Sequence, residues 1–174
     1  MRYRTRELGA VEVAKDKVLC FTAPLLGFES FRKYALLPVP GAKPFFVLQS
    51  LEEPQLAFPV VRAEELSLVY RGHGCASLLS AGDLRRVTAT TPDEVTCWIV
   101  VALPTDGSPL RLNLRAPVIV NEKKQLAAQV FVGEECVSGG KLGDSEIGRL
   151  GEANPVTAGV AQSPCVAVCQ GSGL

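Results

Sequence analysis

Apolar and polar residues alternate along much of this chain with a period of two. In "AVEVA", Val11 and Val13 fall on one face and Glu12 on the other. In "LRLNLRAPVIVN", Leu110, Leu112 and Leu114 face one way while Arg111, Asn113 and Arg115 face the other. This period predicts half-buried antiparallel strands. "VTCWIVVAL", Val95 to Leu103, is apolar on both faces and predicts a central strand. Shorter strands are expected at "KVLCF", "YALLPV", "FFVLQS", "LAFPVV", "LSLVY" and "QLAAQVFV". Pro59 and Pro117 cannot donate to a ladder, so they should mark strand edges or bulges. "PVPGAKP", "LEEPQ" and "LPTDGSP" read as turns between strands. Helical signals are few: one turn at "GFESFRKY", and another at "SAGDLRRV" capped by Ser80 or Asp83. The expected fold class is all-β, a small antiparallel β-barrel or sandwich with one or two short helices.

The most apolar region, "KPFFVLQSLEEPQLAFPVV", is interrupted by two adjacent carboxylates and a proline. It predicts a hairpin: "PFFVLQS" goes up, "LEEPQ" turns and "LAFPVV" returns. Glu52, Glu53 and Pro54 at the tip keep an otherwise adhesive strand pair soluble. Trp98 and Phe131 lie within predicted strands and are assigned to the core. Cys20 and Cys97 lie in apolar runs and are assigned to it too, as small buried hydrophobes.

After about Gly133 the pattern fades. The division is a β domain over residues 1–135 and a Gly/Ser-rich, cysteine-bearing tail over 136–174, expected to be flexible, with one short helical stretch at "DSEIGRL". Length adds only that 174 residues suffice for one domain, and 47% apolar content is enough to bury a core. Charge excludes more: 18 basic and 18 acidic residues give no overall field to hold nucleic acid, so no direct nucleic-acid binding is expected. No apolar run is long enough to span a bilayer, and "MRYRTRELG" lacks the apolar stretch of a signal peptide. A cytoplasmic protein without membrane contact is expected.

Candidate chemistry is sparse. His73, the only histidine, sits between glycines in "RGHGCAS", and neighbouring Cys75 is badly placed as its nucleophile. His73 and Cys75 have the ligand types for zinc together with Cys165 and Cys169, but the Cys-x-x-x-Cys spacing matches no finger pattern. No phosphate-binding glycine loop is present. The expectation is a binding protein and not an enzyme, with no cofactor and no metal. The alternative is a cysteine/histidine-based metal-binding or redox-sensing β-barrel. A ligand inside the barrel is disfavoured, because the aliphatic strands should fill it.

The order of the blocks resembles the FliW family of flagellar assembly factors. The matching pieces are "LGFESFRKYALLP", "PFFVLQSLEEPQLAFPVV", "VTCWIVVALP", "LRLNLRAPVIVN" and "QLAAQVFV", over about residues 3–132. The second and fourth are the specific ones. The chain departs from the family in having Leu26 where proline is usual and "VVALP" where a threonine is usual. "GHGCASLLSAGDLRRVTATTP" stands in for a more acidic segment, and the tail has no counterpart. The resemblance implies a small β-barrel that binds flagellin and, alternatively, the RNA-binding repressor CsrA, relieving repression of flagellin translation. Carried onto this chain, it puts the partner-binding residues at Gln49, Ser50, Glu52 and Glu53 in one block and at Arg111, Asn113, Arg115 and Asn121 in the other. It gives the acidic tip a second role, steering a basic partner. Neither glutamate is expected to bear on folding.

Overall fold

The computed structural model describes residues 1–6, 8–66, 75–102 and 110–132. β1 (Arg2–Thr5) and β2 (Gly9–Glu12) form a separate antiparallel ribbon. β3 (Leu19–Ala23), β4 (Lys33–Pro38), β5 (Phe45–Ser50), β6 (Ala57–Arg62), β7 (Thr96–Ala102), β9 (Val118–Asn121) and β10 (Leu126–Gln129) make the main sheet. β8 (Arg111–Leu112) pairs with the end of β7. The sheet runs β6-β5-β4-β3-β10-β9-β7, and a β6–β7 pairing closes it into a seven-stranded barrel without open edges. All its pairs are antiparallel except β10–β3, which is parallel and carries a register shift between Ala127 and Ala128.

The period-two pattern builds two cores. Inward residues from every barrel strand, including Leu19, Phe21, Tyr34, Leu48, Val60, Trp98, Val118 and Ala127, fill the barrel. The opposite faces of β5, β6, β7, β9 and β10 form a second core through Val47, Val61, Cys97, Ile99, Ile119 and Ala128. Leu84, Val87 and Ala89, on and just after α1 (Ala81–Arg86), cover it. β7 is therefore buried on both faces, as its unbroken apolar run predicts. α1 begins as expected: Ser80 Oγ accepts from the Asp83 amide, and the Asp83 carboxylate accepts from the Ser80 amide.

Several expectations fail for local reasons. "GFESFRKY" forms no helix but two successive turns, closed by the Phe28 amide on Leu25 O and the Phe31 amide on Phe28 O. The first holds Gly27 at φ +83°, a backbone region that glycine enters without strain. "LRLNLRAPVIVN" is not one strand: it breaks between β8 and β9, where the Asn113 side chain accepts from the Ala116 amide. Phe131 is 67% exposed and not in the core. Its neighbours Val130 and Val132 take the inward positions and donate to Pro117 O and Arg115 O, so alternation sends Phe131 outward. Cys20 is exposed because Leu19 and Phe21 take the inward positions of β3. Pro59 is buried, opposite Val47, just beyond the point where the β6–β7 ladder starts, and Pro117 immediately precedes β9. β1 was not expected, since "RYRT" reads as a charged terminus. Past Leu66, the strand expected at "LSLVY" lies outside the described residues, as do the turn "LPTDGSP" and the tail.

Candidate functional site

Strand direction sorts the named residues. One end of the barrel gathers the ends of β3, β5, β7 and β10 with the starts of β4, β6 and β9. The 51–56 turn, the 24–32 connection and the 111–117 segment all lie there. Both motif blocks thus meet at one end, carrying Gln49, Ser50, Glu52, Glu53, Arg111, Asn113 and Arg115. Asn121 is at the opposite end.

The acidic hairpin tip is held at every step. Gln49 is fully buried, and its side-chain amide donates to Ser50 O, Leu56 O and, at 3.3 Å, Pro54 O. Ser50 Oγ accepts from the Glu52 and Glu53 amides at 3.2 and 3.0 Å. The Ser50 amide donates to Leu56 O and the Leu56 amide to Glu53 O. From the N-terminal ribbon, the Arg6 amide donates to Pro54 O. "QSLEEPQL" is thus a built loop tied together by its own polar residues, with Gln49 Oε1 buried and left without a hydrogen-bond partner.

Glu52 departs from the sequence reading. Its carboxylate accepts from the backbone amides of Arg32 and Lys33 at 2.6 and 2.8 Å, tying the tip to the start of β4. Partial burial works against its charge, but those two hydrogen bonds and the charges of Lys33 and Arg32 outweigh it. They hold the carboxyl below its ordinary range. Glu52 therefore bears on folding. Glu53 is half-buried and accepts from the Gln55 amide at 3.0 Å. With Arg32 and Lys33 alongside, the tip carries charges of both signs and is not a purely acidic edge.

In the second block, Arg111, Asn113 and Arg115 are exposed. Asn121 is buried: its side chain donates to Val87 O at the end of α1 and accepts from the Lys124 amide. Gln49, Ser50 and Asn121 thus shape the fold around the exposed residues.

Sequence reasoning missed an apolar pair. Leu26 is 71% exposed, and with Phe131 it flanks a hollow of about 380 Å³ whose wall includes Ala23, Glu29, Arg86 and Gln129. The Leu26 amide donates to Gln129 Oε1 at 2.9 Å, joining the two sides. Glu29 accepts from the Gly27 amide, which holds its carboxyl below the ordinary range. Exposed apolar side chains beside a hollow are the mark of a contact surface. Only position gives them away, as each follows a strand whose inward places are taken.

Of the candidates in the metal and redox alternative, only Cys75 lies among the described residues. Cys75 is buried beside Cys97. A hydrogen bond between the two thiols, with burial added, pushes the Cys97 thiol well up and keeps it protonated and unreactive. Among the described residues, no three His, Cys, Asp or Glu side chains group as metal ligands. His73, Cys165 and Cys169 lie outside them. No helix among the described residues is long and apolar enough to cross a membrane.

Comparison with known proteins agrees with this arrangement. Residues 2–138 match the model of the FliW protein family. The flagellar assembly factor FliW of Bdellovibrio bacteriovorus is 37% identical over 125 residues, 72% of this chain and 69% of that protein. The flagellar assembly factor FliW of Treponema denticola is 32% identical over 136 residues, 77% of this chain and 87% of that protein. A crystal structure of a flagellar assembly factor FliW has the same fold, with a TM-score of 0.66 at 22% identity, covering 77% of this chain and 90% of that one. A barrel closed by a parallel β3–β10 pair, with both motif blocks at one end, is how this sequence builds a flagellar assembly factor of the FliW family, to which the chain belongs.

Proposed function

We propose that this chain is a non-enzymatic partner switch of the cytoplasm. It binds flagellin and, alternatively, a CsrA-type repressor, and so relieves repression of flagellin translation. The observation that carries this reading is the meeting of both motif blocks with exposed Leu26 and Phe131 at one end of the barrel. Apolar anchors ringed by charge suit a protein partner. Glu52, Glu53, Arg111, Asn113 and Arg115 supply the polar rim, while Gln49, Ser50 and Asn121 fix its shape. The test mixes the purified chain with flagellin monomers and with the repressor, separately and together, and follows the complexes by size-exclusion chromatography. Each partner alone should co-elute with the chain, and added flagellin should release the repressor. If neither partner co-elutes, the reading fails. Leu26→Asp combined with Phe131→Asp should weaken at least one complex by about tenfold or more without lowering the melting temperature.

A further inference from the structure

The end of the barrel opposite the motif blocks has a recess at its mouth. Leu19, Leu36, Phe46 and Trp98 line a hollow of about 220 Å³ there. A dry apolar cavity of about 150 Å³ takes up benzene, so this one has room for a ring and a short arm. The Phe46 ring stands edge-on to the Trp98 indole, 5.0 Å away at 73°. One cation is built into the wall: the Arg62 guanidinium lies 5.0 Å from the centre of the Trp98 ring. That places it within cation–π range of the ring, and its planar fork matches a carboxylate.

The fork is only loosely engaged. Its carboxylate neighbour, Glu122, is 3.9 Å away, too far for a hydrogen bond, and the two side chains are 44% and 51% exposed. Such a pair contributes little and exchanges easily. The rim also carries Lys17 and Asp16, one charge of each sign. The site thus offers aromatic and aliphatic walls and one guanidinium held beside them.

We propose that this barrel mouth binds a small carboxylic acid with a benzene-sized apolar body, the body against Leu36 and Phe46 beside the Trp98 ring and the carboxylate on Arg62 in place of Glu122. This is separate from the partner-binding reading and does not depend on it.

Trp98 is the only tryptophan, so its fluorescence reports directly on the site. The probe is 3-phenylpropanoate, with the neutral 3-phenylpropanamide as control. Trp98 is excited at the red edge of its absorption, where the probe ring is transparent. The acid should give a saturable change, and the amide should bind about tenfold more weakly, having lost a charge-assisted pair. Arg62→Gln should bring the acid down to the amide's affinity. Glu122→Gln should tighten the acid several-fold, because it removes the competing carboxylate. No saturable change up to the solubility limit overturns the proposal, as do equal affinities for acid and amide or unchanged binding in folded Arg62→Gln protein. If Arg62→Gln does not fold, Glu122→Gln decides: acid binding that is unchanged or weaker overturns it.

Discussion

Glu52 is a loop carboxylate that the sequence presents as solvated charge, yet its two short bonds to the Arg32 and Lys33 amides make it a tether between loops. Hydrogen bonds to a charged acceptor are worth about 1.5–3 kcal/mol when shielded, and the exposure of Glu52 reduces this, so Glu52→Ala should cost about 1 kcal/mol in thermal or urea unfolding. The pH dependence follows from the sign of the shift. The folded carboxyl titrates below its ordinary value of 4.5. Its contribution is therefore complete above that value and lost as pH falls through the lower folded one. Glu29 and Glu94 are depressed in the same direction and share the window. The measurement is thus the difference between wild type and Glu52→Gln, which should narrow as pH drops below about 4.5. A constant difference down to acid pH would show that the charge of Glu52 contributes nothing. Gln49 is more deeply committed, with three carbonyls leaning on one buried amide. Gln49→Ala removes these bonds, leaves Leu56 O and Pro54 O to the Ser50 and Arg6 amides alone, and opens a void, so it should cost about 2–3 kcal/mol in urea unfolding.

Among the elements, α1 shows what the sequence discloses and what it withholds. Its start was legible, since Ser80 followed three residues later by Asp83 is a local signal with a local cause. Its packing was not: Leu84 and Val87 join the second core, and nothing within their own segment says so. Six residues are too few to hold a helix by propensity, so the cap and that packing sustain it together. Ser80→Ala should therefore cost about 1 kcal/mol, and amide exchange should quicken first at Asp83 and Leu84. Uniform acceleration across the barrel would instead mean that α1 and the strands open as one unit. The same contrast runs through the strands. β5, β6 and β7 were readable because each is bounded by turn residues and apolar inside. The β8–β9 break was not, because alternation continues across it while the Asn113 turn interrupts the ladder.

At the scale of the whole molecule, closure decides which residues share a surface. The two motif blocks lie some sixty residues apart in sequence and are brought to one end only by strand direction. Alternation gives each strand its faces but not its neighbours, so neither the shared end nor the Arg62–Trp98 stack at the other end was legible. Closure also bears on the tail. β10 completes the ring by pairing with β3 and β9, and Val130 and Val132 then bond to Pro117 O and Arg115 O. The family match ends at residue 138. Removing residues 140–174 leaves in place every one of those hydrogen bonds and every core residue among the described ones. The truncated chain should keep its strand-dominated circular dichroism and melt within about 2–4 °C of the full chain, a shift worth no more than about 1 kcal/mol at this size. It should also retain its complexes with flagellin and the repressor, since both motif blocks precede the cut. A fall in melting temperature well beyond that range would mean that the segment packs against the barrel, with "CVAVC" as its most strand-like stretch.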